Sequence, residues 1–292
     1  MNNQSCKICG SNSLKIFAHT ASCKQCGVLL CYPYPKSDHD IFISGGNRDG
    51  IDSDEENKRL KLDWHLKSEA RNHHNFTNMT LFAMEDQSFY EELKVLDYGG
   101  GGGQFAVVLR SIYPLTETYI VDICDAKLLD QFKSMNRQIK FKDFSDDPTK
   151  FDYIFMNDVF EHVSDPIEVL SSLKSKLKGS NGRIFIDTPC QFWLYPMTKL
   201  FSHRIHKRLL RGTVDYDHQQ IWNKKSFNHV AKEAGFRVIK YVELSEFTQP
   251  ANFYLDNMKI SNWVLRFIGR LFHKLAPYMA KNKIMAVLIP IE

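Results

Sequence analysis

"KVLDYGGGGGQFAVVL", residues 94–109, decides the fold. "KVLDY" reads as a strand. "GQFAVVLRSI" has helical spacing and follows directly. Between them stand five consecutive glycines, 99–103. Five adjacent glycines lose more chain entropy on folding than any other pentapeptide, so something must approach this backbone too closely for side chains. A glycine loop between a strand and a helix turns backbone N–H groups and the helix N-terminus toward a ligand.

Outward from this unit the text keeps alternating. "ETYIVDI" is a second strand, "DAKLLDQFKSM" a helix, "QIKFKDF" a third strand and "FDYIFMND" a fourth. "DPIEVLSSLKSKLK" is a helix with Asp165 as N-cap, Pro166 in its first turn and Glu168 at the third position. "GRIFIDTP" is a fifth strand. "NKKSFNHVAKEAGF" is a helix ending at Gly235, "RVIKYVEL" a sixth strand and "KIMAVLIPI" a seventh. Such alternation predicts an α/β fold: a Rossmann-like seven-stranded sheet with helices on both faces, over residues 91–292. Ligands of such sheets sit at the carboxyl ends of the strands.

A phosphate loop of the Walker type is excluded, because no Lys-Ser or Lys-Thr follows the glycines. Gly101, Gly103 and Ala106 satisfy a relaxed dinucleotide fingerprint, but too far from the strand, and that reading leaves Asp97 without a role. Asp97, two residues before Gly99, gives D-x-G-x-G-x-G. Here the chain resembles the class I S-adenosylmethionine (SAM)-dependent methyltransferases. The resemblance implies that Asp97, Gly99, Gly101, Gly103 and Gln104 lie at the amino-acid end of the cofactor. It places Asp122 and Ile123, at the end of strand two, on the ribose. A carboxylate facing a vicinal diol accepts two hydrogen bonds. It sets Asp143 near the adenine, and "FDYIFMNDVFEHVSDP", with Asn157, Asp158 and Glu161-His162-Val163, at the family's fourth motif. Singly, Asp97 and Asp122 also suit helix caps and Asp143 a turn; together and in order they point to SAM.

The N-terminus carries a second signal. Cys6-x2-Cys9 and Cys23-x2-Cys26 are separated by thirteen residues, and Gly10 and Gly27 follow the second cysteine of each pair. Two such knuckles supply four thiolates for a tetrahedral, structural Zn²⁺ in a ribbon over residues 1–35, whose folding energy comes from the metal. Cys31, Cys124 and Cys190 read as plain buried residues. The four-cysteine module followed by Tyr-Pro is similar to that preceding methyltransferase domains in bacterial sugar and polysaccharide pathways. Residues 36–52 read as a linker, and Ser53 and Glu56 as the capping box of a charged helical stretch running to about residue 90 with a break near 75–80.

For a hydroxyl acceptor the enzyme must remove a proton, and the catalytic candidates are His218, His162 and Glu161. Asp158, Glu161 and His162 stand at i, i+3 and i+4; one helical turn would gather them on one face for a divalent cation. Solvated carboxylates and a helix-entry hydrogen bond from His162 are the plainer readings.

Segments 192–212 and 248–282 interrupt the alternation. Both are expected to roof the acceptor site. Arg204, Lys207, Arg208, Arg211, Arg266 and Arg270 suit a nucleotide- or lipid-linked acceptor. The second segment has helical apolar spacing from Ile260 to Leu275. It reads first as a helix packed apolar side down on its own domain, and second as a peripheral membrane contact.

Net charge is +4, with 43% hydrophobic and 25% charged residues. That balance permits an anionic partner without demanding one. The polar "MNNQSCKICG" start and the lack of a long apolar run point to a cytoplasmic protein. The leading expectation is methyl transfer to a hydroxyl of a sugar or glycan intermediate. The rivals are an rRNA or tRNA methyltransferase and a non-catalytic SAM-binding interaction protein. Nucleic acid is not the expected partner, because the ribbon region has only Lys7, Lys15, Lys24 and Lys36 and no dense basic cluster.

Overall fold

The computed structural model describes residues 5–17, 20–34, 62–123, 134–191, 218–245, 250–257, 260–279 and 281–292. The linker at 36–52, the Ser53–Glu56 cap, Cys124, nearly all of the helix expected at 125–135, the 192–212 insert with its basic residues, and Lys259 lie outside these.

The main sheet follows the reading from residue 94. β4 (Lys94–Tyr98), β5 (Glu117–Val121), β6 (Asn136–Gln138), β7 (Tyr153–Asn157) and β8 (Arg183–Pro189) are parallel; β11 (Lys283–Pro290) runs antiparallel between β8 and β10 (Phe236–Leu244). The order is β10-β11-β8-β7-β4-β5-β6. Strand order reverses between β4 and β7, and an open α/β sheet has its crevice at such a switch point. Residues 138–144 are mostly not strand: β6 stops at Gln138 and a 3₁₀ turn takes Phe141–Asp143.

Helices cover the sheet. α1 (Leu62–Met84) runs unbroken through 75–80 and ends six residues short of the expected end. Met79, Ala83 and Met84 are buried against β4, α2 (Phe105–Ile112) and β11, so tertiary packing carries the helix through the expected break. α3 (Pro166–Lys174) is capped as read: Asp165 Oδ1 accepts from Glu168 N at 2.9 Å. α4 (Lys224–Glu233) has a reciprocal cap between Asn223 and Ser226 and stops at Gly235, whose φ is +79°.

The N-terminal strands β1 (Leu14–Phe17), β2 (Thr20–Cys23) and β3 (Leu29–Cys31) form a small antiparallel sheet. Its fourth strand is β9 (Gln220–Ile221), from far down the chain. The ribbon does not stand apart. Ile8, Val28 and Leu30 join the same buried cluster as Phe160, Trp222 and Phe227. Asn223 Nδ2 and Gln191 Nε2 both donate to Gly27 O.

α5 (Ala251–Asn257) and α6 (Trp263–Met279) form a hairpin between β10 and β11. Gly269 of α6 lies against Leu255, which a side chain there would strike, and Ala276 is fully buried. The rest of the apolar stripe faces outward: Trp263 is 78% and Phe267 64% exposed. The first-choice expectation, apolar side down, is therefore reversed. The inward face is the small-residue one.

Candidate active site

The glycine loop is shaped by its own sequence. Gly99, Gly101 and Gly103 have φ of +78°, +51° and +78°, where other residues are strained. A Cβ on Gly99 would strike Val159, and one on Gly100 would strike the Asp97 carboxylate and Ile120. A Cβ on Gly101 would meet nothing within 4 Å, so there the loop opens. Asp122 Oδ2 accepts from Gly101 N at 2.9 Å, which ties the carboxylate at the end of β5 to the loop's crest.

Asp97 is 5% exposed, and Oδ1 has no hydrogen-bond partner. Burial, and next the charge of Asp122, push its pKa up to about 7. Asn157, at the end of β7, likewise has neither side-chain polar atom paired. Unsatisfied buried polar groups are rare and call for a reason. A carboxyl, an amide and an open glycine crest around one crevice fit a ligand with a cationic amino-acid end and hydroxyls, as SAM has. Gln104 takes the N-cap position of α2 without a side-chain cap bond, and Ile123 is half-buried beside Asp122. Asp143 is exposed in its 3₁₀ turn.

The other half of the site gathers after β7. Asp158 adopts a left-handed conformation, φ +52°, and residues 158–162 form a turn, not a helix. The i, i+3, i+4 geometry expected for Asp158, Glu161 and His162 is therefore absent. Asp158 instead pairs with Lys283 Nζ at 2.8 Å, and Lys283, 4% exposed, also meets Asp187 at 2.9 Å. Burial holds the Asp187 carboxyl well above its ordinary range despite Lys283.

Glu161 keeps different company. It is 1% exposed, and Oε2 accepts from Thr188 Oγ1 at 3.0 Å. Its Oε1 lies 3.8 Å from His162 Nε2, and the rings of His162 and His218 meet edge to face at 4.9 Å. Burial, then Asp158, raise its pKa to about 7. One ligand atom from each of Glu161, His162 and His218 lies within 4.8 Å of the others, so these three, not the Asp158 set, could hold an ion.

Gln219, next to His218, is 1% exposed and uses its hydrogen-bonding groups to lock this corner to the ribbon. Its N–H donates to Glu161 O at 2.9 Å, and its Nε2 donates to His162 O at 2.6 Å. Its carbonyl accepts from Cys31 N, and its Oε1 accepts from Lys7 Nζ at 3.0 Å. The four expected metal ligands stand behind that contact. Cys6 and Cys26 sulfurs are 3.8 Å apart, Cys9 and Cys23 sulfurs 3.6 Å, and all four lie within 4.8 Å of one another. A tetrahedron with Zn–S of ~2.3 Å has edges of about 3.8 Å, so the donor set fits zinc.

The sequence missed Thr188, Asp187, Lys283 and Gln219. Asp187 and Thr188 carried a usable signal, two polar residues in the otherwise apolar strand "RIFIDTP". Lys283 and Gln219 carried none.

Comparison with known proteins agrees with the geometry. A ubiquinone biosynthesis O-methyltransferase of Histophilus somni is 28% identical over 179 residues, covering 57% of this chain and 67% of its own. Among solved structures, geranyl diphosphate C-methyltransferase from Streptomyces coelicolor A3(2) aligns with a TM-score of 0.54 at 13% identity, covering 89% of this chain and 100% of that one. Phosphoethanolamine N-methyltransferase 2 of Haemonchus contortus, in complex with SAM, aligns with a TM-score of 0.51 at 16% identity, over 74% of this chain and 53% of that chain, about half its length. At these identities the structures speak for the fold alone. The family described as "Methyltransferase domain" matches residues 80–241, from the end of α1 through the glycine loop and the Glu161 turn into β10. The chain belongs to that family and is a SAM-dependent methyltransferase.

Proposed function

We propose that the chain methylates a hydroxyl oxygen of a small-molecule acceptor. The observation that carries this is the Glu161–His162–His218 cluster at the carboxyl edge of the sheet, one turn from Val159, which packs on the glycine loop. The resemblance of the ribbon and domain to sugar- and polysaccharide-pathway enzymes supports a sugar or glycan acceptor. The similarity to an O-methyltransferase supports oxygen as the atom methylated.

Asp97, Asp122, Asn157 and the amides of the glycine loop would hold SAM. When bound, it supplies an electrophilic methyl whose bonding electron pair stays on sulfur after transfer. The chain's residues do the rest. An imidazole of the His162–His218 pair takes the acceptor's hydroxyl proton as the oxygen–methyl bond forms. Glu161, ionised above about pH 7, stabilises the resulting imidazolium. Thr188 fixes the Glu161 carboxylate, and Gln219 fixes the backbone of both Glu161 and His162. The cysteines would hold zinc structurally, since four thiolates leave no open coordination position.

A second reading draws on the same cluster: a divalent cation on Glu161, His162 and His218 would lower the acceptor hydroxyl's pKa itself. The test is transfer from methyl-labelled SAM to a sugar, a phenol, an amine and bulk RNA. Label recovered as an alkali-stable ether supports the proposal. Label in RNA, on nitrogen or on carbon overturns it. Dependence on added metal after chelation selects the second reading.

A further inference from the structure

Helix α6 contains no acidic residue and carries Arg266, Arg270, His273 and Lys274. At about 100° per residue, Trp263, Phe267, Ile268, Leu271, Leu275 and Tyr278 fall on one broad face. All six are between 44% and 82% exposed. Stray exposed apolar residues are ordinary, but a continuous strip along a whole helix marks a binding surface. The helix sits on its hairpin partner through its small side, with Gly269 against Leu255 and Ala276 buried. Arg266 is used to hold it there, bonding Asp256 and the Ile260 carbonyl. At about 100° per residue Lys274 falls within the Trp263 edge of the strip and Arg270 just outside it, with Arg270 Nε donating to Asn252 Oδ1 of α5 at 3.1 Å.

We infer that α6 docks the enzyme on an anionic phospholipid surface. Three features select lipid. The first is charge: a helix of only positive and neutral residues, with cations bordering the apolar face, complements anionic headgroups. The second is the placing of aromatics. Trp263 and Tyr278 lie on the exposed strip, roughly 22 Å apart along the helix, where amphipathic rings suit the boundary between headgroups and acyl chains. The third is length and polarity. Among the described residues no helix is long and apolar enough to cross a membrane, so α6 would lie in the interface plane. Four residues after Met279 the chain reaches Lys283, which pairs with Asp158 and Asp187 beside Glu161. The C-terminal end of α6 therefore leads into the same end of the sheet as the crevice, so that a docked helix would bring this end of the sheet toward the lipid surface.

The test is co-sedimentation of the full, zinc-loaded chain with sucrose-loaded vesicles of phosphatidylcholine, with and without 30% phosphatidylglycerol. Binding should require the anionic lipid and weaken with salt. Phe267→Ser with Leu271→Ser should lower the partition coefficient at least tenfold. Arg270→Glu with Lys274→Glu should remove the salt-dependent part. Both pairs should keep wild-type affinity for S-adenosylhomocysteine, which separates loss of docking from loss of fold or of the proposed reaction. Unchanged partition of the variants overturns the inference. So does concentration-dependent self-association without vesicles that the Phe267/Leu271 changes abolish, because the strip would then be covered by a second copy.

Discussion

The two halves of the crevice are built in opposite ways. The proposed donor half is local: Asp97, the glycines and Gln104 are one strand–loop–helix unit, closed by Asp122 from the neighbouring strand. The proposed acceptor half is assembled from four distant places: the 158–162 turn, Thr188 on β8, His218 and Gln219 before β9, and Lys283 on β11. A methyl donor is the same molecule in every such enzyme, so a short motif suffices to hold it. An acceptor site has to be composed by the fold. The N-terminal ribbon belongs to this second half, since Gln219 joins it to Glu161 and His162.

If the division is real, damage to one half should spare the other. The largest effect is expected from the acceptor cluster. His218→Gln or Glu161→Gln should lower the turnover rate by ~10²–10⁴-fold, the usual range for losing general acid–base catalysis, in a labelled-methyl assay. A fall below tenfold in both variants would remove these residues from the chemistry.

Removal of the proposed zinc is the next test. Chelation, or Cys23→Ser, should unfold the ribbon sheet, release β9, and cut methyl transfer by about 100-fold, because metal binding is folding energy for such a module. Affinity for S-adenosylhomocysteine should change by less than about fivefold, since Asp97, the glycine loop and the Asp122–Gly101 bond are built from β4, β5 and α2. Gln219→Ala should reproduce part of this, about tenfold in kcat with an altered pH profile. Equal loss of donor binding would show that the halves fold as one.

On the donor side, Asp122→Asn or Asp97→Asn should weaken S-adenosylhomocysteine binding by ~10–100-fold, equivalent to about 1.4–2.8 kcal/mol. A smaller and more diagnostic effect concerns pH. Burial raises the Asp97 pKa to about 7, so the free enzyme holds a proton there below that value. A cationic ligand favours the ionised form. Affinity should therefore rise about tenfold between pH 6 and pH 8, with proton release seen by calorimetry in buffers of different ionisation enthalpy. In the unliganded protein the raised pKa has the opposite sign. The folded state binds more protons than the unfolded one between about pH 4 and pH 7, so Asp97 and Glu161 make stability fall as pH rises through that window.

The same division explains what the sequence disclosed. β4, the glycine loop, β7, β8, the cap at Asp165 and the helix stop at Gly235 were legible because each is fixed by local spacing. The helical alternative for Asp158, Glu161 and His162 failed because the pattern suits a helix, whereas Asp158 adopts a left-handed turn and pairs with Lys283, 125 residues away. The outward strip of α6 was misread for a related reason. Periodicity reveals that an apolar face exists, but Gly269 and Ala276 decided which face packs inward.

The most direct test is calorimetric titration of S-adenosylhomocysteine into three proteins: wild type, Asp122→Asn and His218→Gln. The donor/acceptor division requires at least tenfold weaker binding by Asp122→Asn and binding within about twofold of wild type by His218→Gln. Wild-type affinity in Asp122→Asn, or equal loss in both variants, would contradict it.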